Sequence, residues 1–239
     1  MKAAPPVVFI TGGSSGIGAA TAVAFARLGA RVALVDVRNR AAAVVEQVRA
    51  AGGEALPLSA DVREPEALDR AVGAVLERFG RIDALVANAG IADQSSTAAG
   101  DPARWRAVVE TNVLGVLYSV RAVLPTMLER RRGHVFIVAS VSGRETYVGE
   151  PVYIASKWAQ VGFGHALRQE VAASTPASST RESPQTRGFV VCAISEFLVW
   201  VGRLGRFSSS GLAGHGGRTS RHPCVDEWRG TLRNQLELA

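Results

Sequence analysis

With 239 residues, 47% of them hydrophobic and 20% charged, the chain is long enough to bury one sizeable core and lies outside the disordered class. A formal net charge of +6 raises the question of nucleic acid, but the basic residues are nearly all arginines scattered among acids. The one run, Arg130-Arg131-Arg132, sits where a helix should end before Gly133, and no aromatic-basic patch accompanies it, so no nucleic-acid partner is expected.

Short apolar runs alternate with longer helical patterns. "VVFIT" (7–11) reads as a buried strand and "IGAATAVAFARLG" (17–29) as a helix closed by Gly29. A second strand, "RVALVD" (31–36), precedes a helix over 39–51. The third strand, "EALPLSAD" (54–61), carries Pro57, which a central strand would not tolerate, so it belongs at an edge. A helix over about 65–79, a strand "DALVANAG" (83–90), a long helix over about 102–131 and a strand "HVFIVAS" (134–140) follow. Strands without strict polar alternation are those of a parallel sheet covered on both faces. The expected fold is therefore α/β: a doubly wound, Rossmann-like parallel sheet in a three-layer sandwich, as a single domain. In such sheets ligands sit beyond the carboxyl ends of the strands.

The residues after each strand carry the chemistry. "TGGSSGIG" follows strand one and opens a helix. Gly12, Gly16 and Gly18 permit a tight turn and close backbone approach, while Ser14, Ser15, Ile17 and the helix N-terminus offer N–H groups to a pyrophosphate. Asp36 ends strand two, where a carboxylate can accept hydrogen bonds from both adenosine ribose hydroxyls and repel a 2′-phosphate. This favours NAD, with NADP possible because Arg38 and Arg40 lie close by. Asp61 and Val62 close strand three, where the carboxylate is placed to meet an adenine amino group; an Asp before a helix is also a routine N-cap-region residue. Asn88 can brace the sheet after strand four, and Ala89-Gly90 leave room for a ribose.

Tyr153 and Lys157 stand four apart, and Ser140 precedes Tyr153 by 13 residues. With Thr11–Gly18, Asp36, Asp61, Asn88–Gly90 and Asn112, they occur in the order and spacing of the classical short-chain dehydrogenases/reductases, which the chain resembles from residue 7 to about 172. The resemblance implies an oxidoreductase that passes a hydride between nicotinamide and a secondary alcohol or ketone. In it Tyr153 exchanges the proton, Lys157 tunes it and binds the nicotinamide ribose, Ser140 orients the substrate oxygen, and Asn112 holds a water in a proton relay. The chemistry agrees: a free phenol ionises near pH ~10, a nearby cation favours the phenolate, and residues i and i+4 share a helix face. Taken alone, Asn112 inside an apolar helix reads equally as a helix-bending residue bonded to backbone. His134, at the start of a strand, and His165, mid-helix, read as structural, and Ser142 as a loop residue near the pocket.

The pattern changes after about residue 173. "ASTPASSTRESPQTRG" (173–188) reads as an exposed inserted loop, "GFVVCAIS" (188–195) as strand six and 225–239 as a short terminal helix. Where the family expects Pro-Gly and a threonine that seats the nicotinamide amide, Glu196-Phe197 and Val201 stand instead. The expected organisation is thus a family-like core over 1–172 and an atypical region over 173–239. A second expectation follows from it: a non-catalytic cofactor-binding or scaffold protein on the same fold. Cys192 and Cys224 show no metal or CxxC spacing. No continuous apolar run reaches the ~18 residues of a membrane span, and no signal-peptide pattern opens the chain. A cytoplasmic location and no membrane partner are the expectations, with a homo-oligomer, tetramer or dimer, implied by the resemblance.

Overall fold

The computed structural model describes residues 4–37, 40–173 and 189–194. Six strands form one parallel sheet in the order β3-β2-β1-β4-β5-β6. They are β1 (Val7–Thr11), β2 (Arg31–Asp36), β3 (Glu54–Ser59), β4 (Ala84–Ala87), β5 (Gly133–Val138) and β6 (Phe189–Ile194). The helices are α1 (Gly16–Ala26), α2 (Ala42–Ala50), α3 (Pro65–Phe79), α4 (Pro102–Val109), α5 (Gly115–Glu129) and α6 (Pro151–Ala173). The Rossmann-like expectation holds, and β3, with Pro57, is indeed an edge strand.

All five residues of β1 are buried because alternate side chains feed two cores. Val8 and Ile10 join Val32, Leu34, Val86 and Phe136 beneath α1 and α2. Val7 and Phe9 join Val35, Leu85 and Ile137 beneath α3, α5 and the end of α6. Phe9, Phe25 and Phe136 are fully buried, and truncating one such ring to alanine costs on the order of 3–5 kcal/mol. Helix α3 shows how the sequence fixes an element. Pro65 starts it, Ala67, Leu68, Ala71, Val72 and Val75 bury one face, and Gly80 ends it at φ +78°.

The long helix expected over 102–131 is not uniform. Between α4 and α5 the chain makes one π turn, Glu110–Leu114. The extra residue in that turn displaces the hydrogen-bond ladder locally, and Asn112, at its centre, is fully buried. By length and composition the run Pro102–Glu129 is apolar enough to cross a membrane. Here Val116, Val120, Val123 and Met127 bury its inner face in the sheet core instead.

The arginine run has a structural partner. Arg130 bonds the Asp83 carboxylate at 3.1 Å and the Ile82 carbonyl at 2.9 Å, and Asp83 also accepts from Arg81 Nε and Val7 N–H, each at 2.8 Å. One aspartate therefore ties the start of β1 to the end of α5. Elsewhere Arg31 and Arg78 both meet Glu54, and Arg121 meets Asp69. These pairs set partly exposed arginines against acids. His134 is buried and stacks on Phe136 with centroids 6.3 Å apart, and burial pushes its pKa down to about 4, a structural role as expected. His165 lies on the exposed face of α6. Arg38, the inserted loop beyond Ala173, the departures at Glu196, Phe197 and Val201, Cys224 and the terminal helix lie outside the described residues.

Candidate active site

Strand order reverses between β1 and β4, and the crevice between their carboxyl ends is closed by local bonds. Thr11 Oγ accepts from the N–H groups of Asn88 (3.0 Å) and Ala89 (3.1 Å). Asn88 Nδ2 donates back to the carbonyls of Thr11 (2.9 Å) and Gly12 (3.2 Å). Asn88 thus braces the turn after β1, as its position predicted. The turn itself demands glycine: Gly12 sits at φ +65°, and a Cβ on Gly18 would overlap the Gly12 carbonyl and press on Asn88 Nδ2.

Above this turn lies a cleft of about 740 Å³. Gly12, Ser15, Gly16 and Ile17 from the turn after β1, Asp36 from the end of β2, Asp61 and Val62 after β3, and Asn88, Ala89 and Gly90 after β4 line it. The structure brings these predicted residues together. Ser14 and Gly18 lie behind the wall: Ser14 N–H donates to the Asp36 carboxylate at 3.2 Å, and Gly18 is buried against the turn. Sequence reasoning missed Arg63 and Arg104 at the rim. Arg63 grips Asp61 through Nε at 3.0 Å and through a second guanidinium nitrogen at 2.6 Å, and this hydrogen bonding holds the Asp61 carboxyl below the usual range. Asp61 does not cap α3; its carboxylate is committed to Arg63.

These residues fit a dinucleotide. Among the described residues Ser14 Oγ is buried without a hydrogen-bond partner beside the turn, and the turn is walled by backbone that a Cβ would crowd. Ser15, Gly16 and Ile17 present the start of α1, where free N–H groups and the helix dipole favour an anion.

The second half of the site lies beyond β5 and is built by α6. Lys157 is 5% exposed, and its Nζ donates to the Val138 carbonyl and to Gln160 Oε1, each at 3.0 Å. Burial pushes its pKa down to about 8. The ammonium stands 5.6 Å from the centroid of the Tyr153 ring, one helical turn earlier. Ser140 follows Val138 by two residues, and its Oγ accepts from Ser142 N–H at 3.2 Å, which orients the hydroxyl at the mouth of a short 3₁₀ turn, Val141–Gly143. Tyr153 and Ser140 are both partly exposed.

Asn112 enters from the π turn. Its side-chain amide binds Ile91 twice, accepting at 2.8 Å and donating at 2.9 Å, and donates to Ser156 Oγ at 3.0 Å. Its backbone carbonyl accepts from Gln160 Nε2 at 2.7 Å. Asn112 thus bonds backbone at an irregular turn, as one of its two sequence readings has it, and its carbonyl also meets Gln160, a partner of Lys157. Gln160 was not singled out by its sequence. The available signal was a polar residue three positions after Lys157 on the face that must pack inward.

Comparison with known proteins agrees with this geometry. The family model described as short chain dehydrogenase matches residues 6–175. An uncharacterized oxidoreductase of Listeria innocua is 38% identical over 167 residues, 70% of this chain and 67% of the relative. A 3-oxoacyl-[acyl-carrier-protein] reductase of Synechocystis is 35% identical over 168 residues, 70% of this chain and 68% of the relative. Among solved structures, NAD+-bound xylitol dehydrogenase superposes with a TM-score of 0.69 at 28% identity, covering 71% of this chain and 66% of that one. Carveol dehydrogenase from Mycobacterium avium in complex with NAD gives 0.68 at 30% identity, covering 72% and 67%. The chain thus spans about two thirds of the length of the proteins it matches. With a parallel sheet in the order β3-β2-β1-β4-β5-β6, a glycine turn at its reversal point and a family match across more than half its length, the chain belongs to the short-chain dehydrogenase family.

Proposed function

We propose that the protein is an oxidoreductase that interconverts a secondary alcohol and a ketone, with NAD as the preferred dinucleotide. The observation that carries this reading is Lys157: a buried ammonium fixed at the end of β5 and 5.6 Å from the Tyr153 ring. A bound nicotinamide dinucleotide would supply the hydride acceptor or donor. Gly12, Ser15, Gly16 and Ile17 would hold its phosphates, and Asp36 the adenosine ribose, which favours a 2′-hydroxyl over a 2′-phosphate by charge. Asp61, Val62 and Asn88–Gly90 would line the adenine and ribose walls. Tyr153 would take the proton from the substrate hydroxyl in oxidation and return it in reduction. Lys157 would hold its ammonium beside the phenol and bind the nicotinamide ribose, and Ser140 would donate to the substrate oxygen as negative charge develops there. Asn112 anchors the network beneath Lys157.

The NAD-bound neighbours support the cofactor, and the oxidoreductase and reductase relatives support the reaction class. The apolar side chains of Val109 on α4 and Trp158 on α6, 43% and 49% exposed, support self-association through those helices. The test is Tyr153→Phe, assayed with a panel of secondary alcohols and ketones beside calorimetric titration with NADH. The expected outcome is turnover lost by roughly 10²–10⁴-fold, the general acid–base contribution, with NADH affinity kept. Retained turnover refutes the role of Tyr153. An unsubstituted protein that binds NADH yet turns over nothing in the panel supports the non-catalytic alternative.

A further inference from the structure

Gln160 is 1% exposed, lies one turn beyond Lys157 on α6, and uses both ends of its amide. Its orientation is forced. An ammonium only donates and a backbone carbonyl only accepts, so Oε1 must face Lys157 and Nε2 must face the Asn112 carbonyl, as the 3.0 Å and 2.7 Å distances show. The Asn112 carbonyl is the backbone group at the centre of the π turn. We propose that Gln160 is a positioning residue for the reaction: its amide clamps the Lys157 ammonium to the π turn and so holds the positive charge in place beneath Tyr153. This rests on the proposed oxidoreductase function and extends it to a residue outside the Ser-Tyr-Lys-Asn set.

Two physical consequences follow. First, Gln160 Oε1 and the Val138 carbonyl are the acceptors of Lys157 among the described residues, so the amide oxygen supports the charged form against burial. Burial is the single cause that lowers this lysine. The charged groups on the elements packed against α6 are engaged or face elsewhere. Arg104 on α4 reaches the Ala92 carbonyl, Arg106 and Arg144 are exposed, and Glu110 of the π turn lines a second, adjoining cleft with Asp61, Arg63 and Tyr118. Tyr153 is the one titratable neighbour on the same helix. Second, an amide neither gains nor loses a proton near neutral pH. The clamp therefore links Lys157 to the Asn112 carbonyl through a group whose own charge does not change near neutral pH.

The sequence makes the test direct, because Lys2 and Lys157 are the only lysines. Side-chain NMR of protein labelled at lysine, with Lys2→Arg to leave one signal, titrates Lys157 without cofactor or substrate. The wild-type midpoint is expected at about 8. Gln160→Met keeps the volume, removes the acceptor and should lower the midpoint by about one pH unit or more. Gln160→Glu places a carboxylate beside the ammonium and should raise it by a similar amount. The pH profile of turnover should move in the same two directions. A folded Met variant titrating with the wild type, or both variants shifting in one direction, would each overturn the proposal. If Gln160→Met does not fold, Gln160→Glu decides alone, and no rise counts against the clamp. The two opposite shifts, seen in a protein without turnover, would count against the proposed reaction and leave the clamp standing.

Discussion

Replacing Thr11 by valine tests the joint that sets the cofactor crevice. Thr11 is 1% exposed and its Oγ accepts two backbone N–H groups, those of Asn88 and Ala89. Valine preserves the volume and the β-branched shape that suits the end of a strand, so packing changes little. What changes is that two donors lose their acceptor. A buried donor left unsatisfied costs about 1–3 kcal/mol, and Ala89 lies at the cleft wall where water can reach it in part. The net expectation is a loss of about 2 kcal/mol, or roughly 4–8 °C in Tm for a chain of this size. Thr11→Ser keeps the hydroxyl and loses one buried methyl, which costs about 1 kcal/mol. Urea denaturation of the three proteins, with m held constant, should therefore rank them wild type, Ser, Val. A valine variant as stable as wild type, or more stable than the serine variant, would refute the claim that Thr11 joins β1 to β4 through hydrogen bonds. NADH affinity should fall with stability in the valine variant, because the same bonds place Asn88 against the glycine turn.

Other outcomes follow from the same geometry. Asp36→Ala should weaken NADH by about tenfold or more, the scale of hydrogen bonds to a charged group, while tightening NADPH by removal of like charge; an unchanged NADPH affinity would count against Asp36 as the discriminator. Lys157 has its pKa lowered from 10.5 to about 8 by burial, so between those values the folded state holds fewer protons than the unfolded chain. Stability should thus rise from about pH 8 to 10.5, by roughly 3 kcal/mol at most. Lys157→Met should abolish that rise, and equal slopes in denaturation series of the two proteins would show that Lys157 is not buried as described.

The glycine turn, Asp36, Asp61 and the Tyr153–Lys157 pair were legible because each follows a strand or shares a helix face, and both are short-range patterns. Element edges were less legible. The strands expected over 83–90 and 134–140 end at Ala87 and Val138, since Asn88 and Ser140 turn away to bond Thr11 and Ser142 rather than continue the ladder. The arginine run read as a response to the helix dipole, whereas Arg130 meets Asp83, 47 residues away, a pairing that no local pattern encodes.

The sequence by itself determined the fold class and the residues at the strand ends, because alternation, glycine placement and i to i+4 spacing are properties of neighbouring residues. Only the tertiary structure decided how those residues are held. The π turn at Asn112 and the Gln160 bridge from Lys157 to the Asn112 carbonyl arise from donors and acceptors that must find partners once buried. For Asn112 and Gln160 those partners come from distant segments that only folding brings within 3 Å.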